Sequence, residues 1–511
     1  MDAHQVSVRR LNTHQRASLA PVIVPALLIL LGVGLRTAHL TTFRFHVDEA
    51  LYATHAREVA AGGDVLLRAF DVDKPPLSIY VVAASFGLLG ASEFAARLPN
   101  LLASAASLAV LWALARRLYR RSAGMQMVGA SGTRSSNAAQ PHLQIASIAL
   151  LLVVLSPYDI LFAPTVFAEP QLTLWVLLAC WSVVGDRWGW AGVCLALALA
   201  TKQSAVLYLP LVVALGVVAA AGQVDARSLA RRLGRLALPA LVGLALLALW
   251  DAPRGLERSF WVLGYAHNTP DRWVRADEVM PRLEAWLSWL RYFTGADALS
   301  AALVAGGAGA LAWAVRARPR QRETVFDLAL AGFALAYLGM LWLRAFNTYD
   351  RYLHTLLPLL ALPAARGVVW LSRGRSWRTL LAALAIAALM AGPALAALRG
   401  DIPVGGDKGR HDGVEAVAAF LNSLPPGTTV CDHWMGWELG FYLGRTPPVR
   451  VIWLPRPDAL AASAPCYLPA SVSEPLERWL AAAGQAGLPV ELAFTAPNRW
   501  GAPSYVVYRI G

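Results

Sequence analysis

Pro76-Leu-Ser-Ile-Tyr-Val-Val-Ala-Ala-Ser-Phe-Gly-Leu-Leu-Gly90 decides how this chain is laid out. The stretch is apolar but only about 15 residues long, and a helix crossing a bilayer takes about 20. Such a length suits a helix lying in the membrane interface. The basic residues choose between the two arrangements. If 76–90 crossed, Arg116, Arg117, Arg120 and Arg121 would face outward and every later basic loop would be inverted with them. Laid flat, the stretch puts 116–121, Arg227 to Arg235, Arg316 to Arg322 and Arg373 to Arg378 on the cytoplasmic side together, as the positive-inside bias demands.

The composition is that of a membrane protein. Of 511 residues, 57% are hydrophobic and 15% charged, where soluble domains carry roughly a quarter charged. Lys and Arg number 45 against 32 Asp and Glu, a net charge of +13. In a soluble chain that excess would suggest nucleic acid. Here it lies in loops between apolar runs, so membrane lipids are the expected partner and nucleic acid is not. Apolar runs at 18–38, 98–115, 145–163, 169–185, 188–201, 204–222, 236–252, 294–315, 325–345, 352–371 and 379–397 read as about eleven transmembrane helices. The first has a basic flank (Arg9, Arg10, Arg16) and no small-residue cleavage site, so it reads as an uncleaved span. The Ser/Gly/Asn-rich stretch Gly129 to Gln140 reads as a flexible inner loop.

The expected architecture is an all-α polytopic membrane protein. A first outer loop, 39–97, holds two short amphipathic helices, and a second outer loop runs over 253–293. A small extracytoplasmic α/β domain follows, dividing the chain into 1–397 and 398–511. In the tail, Gly413 to Leu424 reads as a helix, and Val449 to Trp453 and Tyr505 to Ile510 as strands. Of the four cysteines, Cys180 and Cys194 sit in apolar runs. For Cys431 and Cys466, in the tail, a disulfide and two free thiols are both open.

The outer loops concentrate the polar chemistry. The first carries His46-Val-Asp48-Glu49-Ala-Leu-Tyr52-Ala-Thr-His55 and then Asp71-Val-Asp73-Lys74-Pro75-Pro76. On a helix over 47–60, Asp48, Tyr52 and His55 share one face. An Asp-Glu pair at such a place is often merely solvated, or favours a helix N-terminus. Three further features argue for a site. Glu169 opens a span directly after an outer turn, and ionisable groups near membrane depth are usually functional or paired. Lys202 interrupts apolar sequence, where snorkelling is the competing reading. Arg351 lies in Asn347-Thr-Tyr349-Asp350-Arg351-Tyr352 at the outer end of another span. All fall on one side, which implies a shared cavity of carboxylates and cations. Such a cavity suits transfer of a group from a phosphate: cations stabilise the departing anion, and one carboxylate serves as base for the attacking hydroxyl. Asp73 and His267 could contribute to a divalent metal site, although scattered Asp and His are more often unrelated.

The runs Asp48-Glu49-Ala-Leu-Tyr52, Asp73-Lys74-Pro75-Pro76-Leu77, Phe94-Ala-Ala-Arg97-Leu98-Pro99, Thr201-Lys202 and Arg351-Tyr352-Leu353 resemble the GT-C glycosyltransferases of the protein O-mannosyltransferase and lipid A aminoarabinose-transferase type. The resemblance covers roughly residues 20–360 and is sharpest in the first loop. It implies a GT-C fold, a polyprenyl-phosphate sugar donor, inversion at the anomeric carbon, and a location in the plasma (inner) membrane with the site facing out. It also implies that Asp48 is the catalytic base, with Glu49 beside it, and that Lys74 lies near the donor phosphate. Glu169 stands where these families commonly carry Asp, which is a departure. Tyr52, Lys202, Arg272 and Arg351 are carried as substrate-binding candidates, and Asp73 and His267 as metal ligands. Nucleotide sugars are cytoplasmic and the chain has neither a P-loop nor a Gly-rich fingerprint after a strand, so a site facing outward needs a lipid-borne sugar. The acceptor is a lipid, glycan or protein hydroxyl. A transporter or flippase of a lipid-linked sugar is the alternative, but two pseudo-symmetric halves are not visible. A catalytically silent scaffold would have lost the first-loop carboxylates, which are present.

Overall fold

The computed structural model describes residues 20–120, 141–222, 225–268, 272–402 and 409–511. The N-terminal arginines and the Gly129 to Gln140 stretch lie outside the described residues. Among those described, six helices are long and apolar enough to cross a membrane: Glu93–Leu118, Gln203–Ala220, Ala226–Arg254, Asp297–Ala317, Arg322–Leu343 and Ser376–Arg399. Shorter apolar helices at Val22–Thr37, Pro141–Val154, Glu169–Val184, Trp188–Thr201 and Leu356–Leu371 complete the eleven runs read from the sequence. One run is not continuous. The span drawn over 145–163 breaks into Pro141–Val154 and Pro157–Phe162, because Pro157 cannot donate the backbone hydrogen bond that would carry the helix on.

These helices share one apolar core, from Leu108 and Leu150 through Val176 and Leu211 to Leu362 and Met390. Close approach is set by small residues. A Cβ on Gly192 would collide with the Leu236 carbonyl of the neighbouring helix, and one on Gly367 with the backbone at Gly306 and Gly307.

The helix Leu77–Leu89 stands apart from that core. Its 13 residues reach about 20 Å, two thirds of a hydrocarbon layer. Ile79, Val82, Ala83 and Phe86 form its buried stripe, and they join Phe45, Ala50, Ala53 and Ala56 in a second, separate cluster. Leu88, on the other side, is exposed. Its partner, Val47–Ala60, is started by a reciprocal cap: His46 Nδ1 accepts from the Asp48 N–H at 3.1 Å, and Glu49 Oε2 accepts from the His46 N–H at 3.0 Å. The two expected loop helices are therefore present.

The tail folds as a five-stranded sheet with β1 Thr429–Asp432, β2 Arg450–Trp453, β3 Cys466–Ser471, β4 Val490–Pro497 and β5 Pro503–Ile510, in the order β2-β1-β3-β5-β4. β1 runs parallel to β2 and β3, whereas β5 is antiparallel to both its neighbours. A disulfide joins Cys431 to Cys466 across β1 and β3. The sheet unit docks on the first loop. Arg57 donates to the Phe441 and Gly440 carbonyls at 2.8 Å each, and the Phe45 N–H donates to the Tyr442 hydroxyl at 2.8 Å.

Candidate active site

Four separate pieces of chain meet at the end of the bundle that carries the first loop. Asp48 stands in the first turn of the capped helix, and its Oδ2 receives a hydrogen bond from Arg351 at 2.6 Å. Arg351 sits in a short 3-10 turn, Asp350–Leu353, ahead of the helix Leu356–Leu371. Its guanidinium lies over the rings of Tyr349 and Phe167, at 4.8 and 5.1 Å from their centroids. Burial alone would raise the Asp48 carboxyl. Arg351, helped by Lys74, outweighs it and holds the group below its ordinary value, so Asp48 is ionised at neutral pH.

Glu169 is the first residue of its helix, an acidic residue placed at the positive end. It is ion-paired with Lys202, which caps the end of Trp188–Thr201 in an extended conformation. Both are buried. Lys202 therefore does not snorkel; its ammonium faces Glu169 and lies 5.2 Å from the Tyr352 ring centroid. Arg351 also feels the Glu169 charge, so it bridges the two carboxylates electrostatically.

Lys74 pairs with its neighbour Asp73. The Asp73 carbonyl accepts from Gln203 at 2.9 Å, tying this strand of the loop to the residue after Lys202. Tyr52 lies within electrostatic reach of Asp73, Asp48, Arg351 and Glu169, with burial pushing its hydroxyl well above the ordinary value. It is a neutral hydroxyl among the charged groups.

Asp73 and His267 also meet, His267 Nδ1 lying 3.7 Å from Asp73 Oδ2. Among the described residues no group of three or more His, Cys, Asp or Glu could hold a metal. The two side chains are near neighbours, and the Asp73 oxygen that faces His267 is the one paired with Lys74.

Two predicted site residues stand elsewhere. Glu49 was expected beside the catalytic base, but its side chain is an internal joint. Oε1 accepts from Arg97 Nε at 3.2 Å and from the Val166 N–H at 2.9 Å, and Oε2 accepts from an Arg97 terminal nitrogen at 3.1 Å besides the His46 N–H. Arg97 donates onward to the Phe43 carbonyl at 2.7 Å and lies over the Phe45 ring. With both oxygens engaged and 3% exposure, Glu49 cannot meet a substrate hydroxyl. Arg272, expected at the phosphate, is committed to Glu278 of its own loop, with both terminal nitrogens at 2.7 Å.

Sequence reasoning did not single out His46, His411 or the buried set Arg36, Asp159 and His354. In that set Arg36 Nε donates to Asp159 Oδ2 at 3.1 Å, and Asp159 Oδ1 lies 2.8 Å from His354 Nε2. His354 Nδ1 is 3.0 Å from Thr173 Oγ1. The turn carrying Arg351 is thus fastened to the helix carrying Glu169. A buried Asp at 159 in an apolar run was the available signal.

Fold and site together define a polytopic membrane protein of the GT-C type, with a carboxylate and cation cluster at one end. Residues 73–250 match the family described as dolichyl-phosphate-mannose-protein mannosyltransferase. The chain is 25% identical over 267 residues to the undecaprenyl phosphate-alpha-4-amino-4-deoxy-L-arabinose arabinosyl transferase 1 of Pseudomonas fluorescens (strain Pf0-1), a match spanning 49% of this chain and 39% of that relative. Its fold superposes on ArnT from Cupriavidus metallidurans bound to undecaprenyl phosphate with a TM-score of 0.61, at 16% identity over 96% of this chain and 97% of the other. The apo state of that protein gives 0.60, at 17% identity over 95% and 97%. The chain has the GT-C fold of the ArnT and protein-mannosyltransferase type.

Proposed function

We propose that this protein transfers a sugar from a polyprenyl-phosphate-linked donor to an acceptor hydroxyl, with inversion, at the outer face of the plasma (inner) membrane. The observation that carries the reading is the gathering of one exposed-side carboxylate, Asp48, with three cations, Arg351, Lys202 and Lys74, from four separate segments. The acceptor oxygen forms a bond to the anomeric carbon as the bond from that carbon to the phosphate oxygen breaks. Asp48 takes the acceptor proton, and the bonding electrons leave with the polyprenyl phosphate. A single displacement inverts the anomeric carbon. Lys74, Lys202 and Arg351 stabilise the anion as it departs, so no general acid is required. The family match and the ArnT neighbours support a donor of this kind.

The outward orientation is supported by the basic runs 116–121, 227–235, 316–322 and 373–378, which the positive-inside bias assigns to the cytoplasmic side together when 76–90 lies flat, and by a disulfide in the tail, which suits an oxidising compartment. The acceptor is a lipid, glycan or protein hydroxyl near that face. Asp73 and His267 are the residues that would hold a divalent ion, which would add positive charge at the leaving phosphate. The test is purified protein in lipid nanodiscs offered a panel of polyprenyl-phosphate sugars, with and without chelator, reading release of polyprenyl phosphate. Consumption of one donor is expected; no consumption with any donor and acceptor pair would overturn the reading.

A further inference from the structure

The C-terminal sheet unit reaches the candidate base through a line of side chains. Glu438, on the helix Gly436–Tyr442, is buried. Its Oε1 lies 2.8 Å from His411 Nδ1 and accepts from the Tyr505 hydroxyl of β5 at 3.4 Å. His411 is buried too, and its ring meets that of His46 at 5.4 Å between centroids and 75° between planes, an edge-to-face contact. The Phe167 ring bounds His46 as well, 5.5 Å away. The charged groups facing His46 are Asp48, Glu49 and Arg351. His46 Nδ1 can accept the Asp48 N–H only with the ring neutral, protonated on Nε2, and aimed back along the helix start. Burial lowers the imidazole's pKa, which keeps that lone pair free. The same unit grips the preceding residue, since the Tyr442 hydroxyl accepts the Phe45 N–H.

We infer that His411, held by Glu438, is a positioning residue for the reaction: it fixes the ring of His46, which caps the helix start that presents Asp48. The C-terminal unit would then complete the active site without touching substrate. This rests on Asp48 being the base, as proposed above.

The test compares full-length His411→Ala, Glu438→Ala and Glu438→Gln in nanodiscs. His411→Ala and Glu438→Ala are expected to lower kcat about tenfold with the donor KM within about twofold, since misplacement of a reacting group acts on the chemical step. Glu438→Gln keeps an acceptor for the His411 N–H and is expected to stay within about twofold of the natural protein. Amide hydrogen exchange over residues 47–51 should quicken in the two alanine variants and not in the glutamine variant. His411→Ala at full kcat, a loss that only tracks the fraction of folded protein, or Glu438→Gln as damaged as Glu438→Ala would each overturn the inference. If the natural protein consumes no donor, the proposed activity falls, and exchange alone decides: unchanged protection at 47–51 in His411→Ala sinks the positioning role.

Discussion

Arg351 donates to Asp48 across 303 residues of chain, at 2.6 Å. The pair joins the first loop to the turn before a late helix, and it leaves the candidate base ionised with its charge answered. In the proposed reaction a donor phosphate would bring a second anion for Arg351, so the guanidinium would turn toward the leaving group and free Asp48 to take a proton.

Replacing Asp48 with Asn keeps shape and removes both charge and basicity. Transfer should fall by about 10²–10⁴, the usual worth of a general base. Binding of polyprenyl phosphate should hold or tighten, because Arg351 loses its competing carboxylate. Turnover and lipid binding measured on one preparation check this. Transfer above a tenth of the natural rate would remove Asp48 from the role.

Much of this was legible in the sequence. Asp48 and Lys74 lie in a compact polar run, and Glu169 and Lys202 each break apolar sequence, where an ionisable group is conspicuous. Their pairing was not legible, because a contact between 169 and 202 depends on how two helix ends converge. The different settings of Asp48 and Glu49 were not legible for a related reason: adjacent carboxylates look alike in sequence, and it is the position of Arg97, 48 residues away, that engages Glu49 as an internal joint. In the tail, β2 and β5 were visible as short β-like runs, whereas β1, β3 and β4 were missed; length did not decide, since β2 has four residues and β4 eight.

Glu49 and Asp48 should therefore separate stability from activity. Glu49→Ala leaves the Arg97 guanidinium buried without its counter-ion, a loss on the order of 3–5 kcal/mol for a buried pair, and should lower the melting temperature sharply. Asp48→Asn should shift it little. Thermal unfolding in detergent checks both. Equal melting temperatures for Glu49→Ala and the natural protein would contradict the role as a joint.

The Glu169–Lys202 pair admits a sharper separation. Lys202→Met strands a buried carboxylate and should destabilise, whereas the double change Lys202→Met with Glu169→Gln removes both charges and should recover much of that stability. Transfer should stay low in both, with weaker donor binding, because the phosphate has lost a cation. A double variant that regained activity along with stability would show the pair to be structural alone.

His55 gives a pH dependence that can be worked out in sign. It lies on the same helix as Asp48, is buried against the Phe70 ring at 4.5 Å between centroids, and its Nδ1 has no hydrogen-bond partner. Burial pushes its pKa down from 6.5 to about 4, against the pull of Asp73 and Asp64 and with the push of Arg254. Between those two values the unfolded chain binds a proton that the folded one refuses. Folded stability is therefore unaffected by this group above pH 6.5, and is lost progressively as pH falls from 6.5 to 4, by about 3 kcal/mol at most. His55→Phe keeps a ring against Phe70 and removes the titration. Other groups titrate in the same window, so the difference between the two proteins is the measure: melting temperature should fall less steeply with acid in His55→Phe, and parallel curves from pH 6.5 to 4 would show that His55 does not carry the effect.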